Sequence, residues 1–196
     1  MHLLLESLEK YAPGVFDITV IWRATTSGHE QAYLTASRRF PSVAFIRQSP
    51  DTLAGLFDDV WSCVRDSVQC ELVSFFVDDN IMFRSMTDVS TIESYLRQPE
   101  VSSFSLRLGE NITHDGPQKD KPLVQPIFMA LEDGFLDFSL RGGYGTCHYC
   151  YPFSVDGHIY RRDLVLKYAD RVDWDNCGTA NDIEGAVVSQ IFHFRS

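Results

Sequence analysis

The stretch that decides the fold is Leu72-Val73-Ser74-Phe75-Phe76-Val77-Asp78-Asp79-Asn80-Ile81-Met82-Phe83. An unbroken apolar run closed by a cluster of charge predicts a strand buried on both faces, as in a parallel α/β sheet. In open α/β sheets ligands gather outside the carboxyl ends of the strands. Two carboxylates at such an end suit a hard divalent cation and the phosphates it carries. Asp and Asn are also ordinary turn residues, so the same letters fit a plain polar turn at the end of a strand.

Outward from this strand, both flanks carry alternating elements. Upstream, Leu4, Leu8 and Tyr11 recur at helical spacing until Pro13-Gly14 stops them. Val15 to Trp22 is β-branched and aromatic and predicts a strand, Gly28 to Phe40 a helix, and Val43 to Ile46 a short strand. Ser49-Pro50-Asp51 opens a helix with Leu53, Leu56, Phe57, Val60, Trp61 and Val64 along one face. This alternation predicts parallel βαβ units in a layered α/β fold. Downstream, Val101 to Leu108 alternates like a half-buried strand, and Gly109 to Pro126 reads as a loop. Leu136, Phe138 and Leu140 alternate again. Leu164, Val165, Tyr168 and Val172 fit a helix, as do Ile183, Val187, Val188 and Ile191.

A chain of 196 residues is long enough for one well-buried domain. The formal net charge is -10, with four lysines among the basic residues, and no basic stripe appears, which disfavours duplex nucleic acid as a partner. No apolar stretch reaches transmembrane length, and Glu6 interrupts an opening too short for a signal peptide. Five scattered cysteines fit a reducing, cytoplasmic setting. There is no glycine-rich phosphate loop of the Walker type, no Gly-x-Gly-x-x-Gly and no Gly-x-Ser-x-Gly nucleophile motif.

Four segments in order carry a family likeness: Phe76 to Arg84 around the aspartates, Phe104 to Asn111, Tyr151 to Arg161, and Asn181-Asp182-Ile183-Glu184-Gly185-Ala186 at the head of the last helix. In them the chain resembles the nucleotide-diphospho-sugar transferases of the GT-A fold, and more closely the family-2-like bacterial glycosyltransferases. The likeness runs over roughly Leu3 to Ile191. It implies a single GT-A-like domain, with residues 1–87 as the donor-nucleotide half and 88–196 as the acceptor half. It implies a sugar moved, with inversion, from a nucleotide-diphosphate donor to a hydroxyl acceptor. By the same resemblance, Asp79 holds a Mn²⁺ or Mg²⁺ and Asp78 reaches the nucleotide ribose or helps hold the metal. A cation there neutralises the charge that develops on the departing diphosphate.

A base must also take the acceptor's proton. The resemblance puts it near the start of the last helix, which makes Glu184 the first candidate, Asp182 the second and Asp156 a third. An acid in the first turn of a helix equally complements the helix dipole. Arg107 is a candidate phosphate clamp, or else the solvent-facing partner of an alternating strand. His158 is a candidate for donor or metal contact, or a satisfied core residue. Gly157 either lets backbone approach a substrate or serves a turn.

The chain departs from the family's pattern in two places. The family opens with an apolar strand ending in a Pro-x-Tyr-Asn-like loop, whereas this chain starts at what looks like the following helix. The expectation is a GT-A-like sheet lacking its N-terminal nucleotide-binding strand, with the strands at Val15–Trp22 and Leu72–Val77 facing a gap. The expectation is a truncated or misassigned start, or else a neighbouring chain in an oligomer or a rearranged strand that fills the place. The alternative function is then a non-catalytic GT-A-like remnant or binding domain that lacks a complete donor site. The second departure is Cys147-His148-Tyr149-Cys150, where relatives carry Trp-Gly. A structural zinc wants four ligands, and no second pair stands at a suitable spacing.

Overall fold

A computed structural model describes residues 1–48, 55–86, 88–114, 122–140, 148–172, 174 and 178–193. In chain order the elements are α1 (His2–Tyr11), β1 (Thr19–Trp22), α2 (Ser27–Arg39), β2 (Ala44–Arg47), α3 (Gly55–Asp66), β3 (Leu72–Phe75) and α4 (Val89–Leu96). There follow β4 (Phe104–Ser105), β5 (Met129–Ala130), β6 (Leu136–Asp137), a 3₁₀ turn at His148–Cys150, β7 (His158–Arg161), α5 (Arg162–Ala169) and α6 (Ala180–His193). The fold is mixed α/β.

The first unit is a βαβ crossover. β1 and β2 pair in parallel, from Thr19 opposite Ala44 to Trp22 opposite Arg47, and α2 makes the crossover. Thr26 starts α2 by accepting a hydrogen bond from the His29 amide at 3.2 Å, and Glu30 at its head and Arg38 and Arg39 at its tail complement the helix dipole. The second unit is a sheet of order β3-β7-β4, in which β7 is central and antiparallel to both neighbours. β5 and β6 form a separate hairpin.

Alternation along β7 shows that both faces of this sheet are covered. Tyr160 packs into the main core with Phe57, Trp61 and Val64 of α3, Val165 of α5, and Ile183, Val187 and Ile191 of α6. Its neighbour Ile159 points the other way, into a smaller cluster with Ile92 and Leu96 of α4. The i, i+4, i+7 spacing of Phe57, Trp61 and Val64 gives α3 its buried stripe. Trp174 stacks on Phe57 at 4.7 Å between ring centres and tilts against Trp61 at 5.0 Å.

Several expectations change here. β3 is only half-buried along its length, and it pairs antiparallel, so its sheet is antiparallel where a parallel one was expected. The strand expected from Val15 starts only at Thr19. The one expected over Val101–Leu108 shrinks to Phe104–Ser105, because the Ser105 hydroxyl accepts the Arg107 and Leu108 amides at 3.2 and 3.0 Å and turns the chain. The opening of the helix at Ser49, with Leu53, lies outside the described residues, as does part of the Gly109–Pro126 loop. Among the described residues no ladder joins β1 to β3, and their two sheets stay separate.

Candidate functional site

The turn after β3 is built by Asn80. Its amide N–H donates to the Val77 carbonyl and its side-chain oxygen accepts the Val77 N–H, both at 3.0 Å. With the turn locked on itself, the Asn80 side-chain nitrogen donates across to Asp156 Oδ1 at 2.5 Å. Asp79, one residue back, is exposed and lines the cleft that opens there. Asp78 goes elsewhere. Its carbonyl accepts the Met1 amine at 2.6 Å. Burial first, and the Asp78 carboxylate second, push the Tyr33 hydroxyl above its usual range, which places Asp78 toward the α2 side.

Asp156 is held from two directions. Asn80 occupies one oxygen, and Arg107 Nη1 lies 2.9 Å from the other. Arg107 is about one-third exposed, yet its Nε is buried with no hydrogen-bond partner among the described residues. The segment before Asp156 is fixed by the core. Tyr160's hydroxyl accepts the Ser154 amide at 2.6 Å and donates to the Ser154 carbonyl at 3.0 Å, while its ring stacks on Phe153 at 5.0 Å. Burial pushes that hydroxyl well above the ordinary tyrosine range, so it stays protonated and able to donate.

Glu184 comes from α6 and accepts the Val155 amide at 3.1 Å. It is aimed by the head of its helix, where Thr179 and Asp182 cap one another. The Asp182 amide donates to Thr179 Oγ1 at 3.2 Å, and Asp182 Oδ2 accepts the Thr179 amide at 2.8 Å. Asp182 also accepts the Gly178 amide at 3.0 Å, and these bonds hold its carboxyl below the usual range.

The cleft measures about 280 Å³ and is lined by Val77, Asp79, Asn80, Arg107, Ser154, Asp156, Asn181 and Glu184. That is near the lower end for small-molecule sites, enough for the reacting end of a ligand and not for a whole nucleotide-sugar. Its lining has three carboxylates against one guanidinium, which favours a cation or a cation-carrying anion over a bare anion. Among the described residues no group of three His, Cys, Asp or Glu is placed to hold a metal by itself. Mg²⁺ typically takes one or two carboxylates and completes its shell with water and substrate phosphate. Asp79 offers one such exposed carboxylate to the cleft.

Of the residues singled out from the sequence, Asp79, Arg107, Asp156 and Glu184 converge on this cleft. Asp78, Asp182 and His158 are not among its lining residues. Asp182 serves as the α6 cap. His158 lies in the sheet centre at 3 % exposure, where its Nδ1–H donates to the Asp156 carbonyl at 3.1 Å. Burial drops its pKa to about 4, so the ring is neutral at pH 7. Gly157 has φ +68° and open space where a Cβ would stand, so it is a turn glycine. Cys147 and Cys177 lie outside the described residues. The sequence reading missed Asn80 as the brace, and Ser154 and Asn181 as lining. Their roles depend on partners distant in the chain, and only the position of Asn80 beside the aspartates hinted at one. No protein-family model, no curated protein and no solved structure matches the chain.

Proposed function

We propose that the protein is a metal-dependent, inverting glycosyltransferase with a GT-A-like sheet, moving a sugar from a nucleotide-diphosphate donor to a hydroxyl acceptor. One observation carries the reading: Asp79, Arg107, Asp156 and Glu184, from four separate segments, line one cleft at the carboxyl end of β3. In this reading Asp79 holds the Mn²⁺ or Mg²⁺ that travels with the donor, and the cation supplies neutralising charge for the departing diphosphate. Arg107 offers its guanidinium to a phosphate oxygen, and Asp156 positions it. Glu184 takes the proton of the acceptor hydroxyl, its second oxygen being available while the first holds the Val155 amide. The acceptor then attacks the anomeric carbon directly as the bond to the diphosphate breaks.

A second reading, a non-catalytic GT-A-like remnant, draws on the separation of β1-β2 from β3-β7-β4 and on the small cleft. Thermal unfolding with UDP, GDP and their sugar conjugates, each with and without Mn²⁺, separates the two. A ligand at a hundredfold excess over its Kd stabilises by about 2.7 kcal/mol. For a chain of this size that is a rise of roughly 5–10 °C in Tm. The enzyme reading expects this shift with one nucleotide, dependent on Mn²⁺ and lost in Asp79→Ala. No shift with any pair, in a cooperatively folding protein, selects the remnant.

A further inference from the structure

We infer that Asn80 is a positioning residue for Arg107. By gripping one oxygen of Asp156 it turns that carboxylate so that the guanidinium is held by charge, yet keeps N–H donors for an anion in the cleft. That the anion is a diphosphate carried with a cation rests on the donor reading above; the placing of Arg107 does not.

The backbone under all three residues is fixed. The Gly157 amide donates to the Phe75 carbonyl and the Leu106 amide to the Gly157 carbonyl, both at 2.9 Å, which ties the approaches to Asn80, Arg107 and Asp156 together. Ser105 Oγ accepts the Arg107 amide at 3.2 Å, and Ser154 Oγ accepts the Asp156 amide at 3.3 Å. What stays adjustable at Asp156 is its side chain, and the last torsion of an aspartate is soft. An arginine beside such a carboxylate commonly takes both oxygens in a two-bond fork. Arg107 makes no such side-on fork. Its Nη1 stands 2.9 Å from Asp156 Oδ2, while its Nε is buried and has no hydrogen-bond partner among the described residues. The other oxygen, Oδ1, accepts from the Asn80 side-chain nitrogen at 2.5 Å.

An amide answers both demands made at position 80. Its oxygen meets a donor, the Val77 N–H, and its nitrogen meets an acceptor, the Asp156 carboxylate, so the network also decides which end is which. An aspartate would close the same turn equally well. It would, however, set a second carboxylate against Asp156 and offer it no proton. The third letter of Asp78-Asp79-Asn80 thus answers to Asp156 and not to the turn alone. The cleft gives this consequence. Its other charged lining residues are Asp79, Asp156 and Glu184, and Arg107 is the one cation among them. A buried donor without a partner costs stability, yet the Arg107 Nε is left in that state while about a third of the side chain remains exposed. Spending the guanidinium on a closed fork with Asp156 would take from the cleft its charged donor for an anion.

Side-chain NMR of the Arg107 Nε–H tests the placing, the signal being assigned by its loss in Arg107→Lys. In the unmodified protein this proton should exchange slowly with water, because it is buried, yet resonate where unbonded guanidinium protons do. Asn80→Ser keeps an acceptor for the Val77 N–H but is too short to reach Asp156. Expected there is a downfield move of the Arg107 Nε–H as the carboxylate turns and the fork closes. Affinity for pyrophosphate presented with Mn²⁺ should fall about tenfold or more, the worth of one hydrogen bond to a charged group. In an Asp156→Asn background, Asn80→Ser should change neither readout further, because Asn80 acts through that carboxylate. Losses that simply add show that Asn80 touches the anion itself and overturn the inference, as does an Arg107 signal that Asn80→Ser leaves in place. An Nε–H already at a bonded position in the unmodified protein overturns it without any variant. If the unmodified protein binds no pyrophosphate with Mn²⁺, the donor reading falls, and the NMR comparison still upholds or overturns the placing of Arg107.

Discussion

Gly157 shows how little separates a turn residue from a site residue. It holds φ +68° between Asp156, which is pinned by Asn80 and Arg107, and His158, which opens the central strand. A methyl group there meets nothing within 4 Å, so Gly157→Ala carries backbone strain alone. It should lower stability by about 1–2 kcal/mol, with Gly157→Asn losing less, as read by urea unfolding. At this scale the sequence was most informative for Asp79 and Arg107, which charge and position singled out and which both line the cleft. Asn80 was not singled out. Its amide matters because Asp156 stands opposite, 76 positions on, and no local pattern encodes that meeting.

At the scale of elements, α6 makes the clearest case. Thr179 and Asp182 close a reciprocal cap, and the helix that follows carries both Asn181 and Glu184 to the cleft. Thr179→Ala should cost about 1 kcal/mol in unfolding experiments. It should also weaken any ligand-induced rise in Tm, because fraying the first turn loosens both cleft residues. Helices were legible because their apolar stripes are local: Leu4 and Leu8 in α1, and Phe57, Trp61 and Val64 in α3, repeat within the segment itself. Strands were less so. β4 was read too long because Phe104, Leu106 and Leu108 alternate regardless of where the Ser105 hydroxyl turns the chain. β7 was missed although Asp156-Gly157 announces a turn ahead of it, and its antiparallel entry between β3 and β4 is set by partners far away in sequence.

For the whole molecule, His158 ties stability to pH. Its folded pKa of about 4 lies below the ordinary 6.5, so the unfolded chain binds this proton first. Its contribution is complete above pH 6.5 and is lost as pH falls from there to about 4, on the order of 3 kcal/mol across that window. Urea midpoints measured over this range should decline in the unmodified protein and flatten in His158→Gln, whose side-chain amide keeps a donor for the Asp156 carbonyl. The broad α/β character was readable from element order, whereas the separation of β1-β2 from β3-β7-β4 was not, since alternation alone predicts one continuous sheet. The site's convergence was anticipated only through the resemblance, because no spacing in the chain brings residues 79, 107, 156 and 184 together.

The Tyr160 hydroxyl leaves its own mark on how this protein can change. One phenol oxygen meets both backbone groups of Ser154 while its ring is locked in the aromatic core. The wall of the cleft that presents Asp156 is thus an outcrop of the hydrophobic interior, with no soft joint between them. Substitutions meant only to repack that interior will also move Asp156 in the cleft. Reshaping the cleft without touching those foundations has to come from its exposed lining, at Asp79 and Asn181.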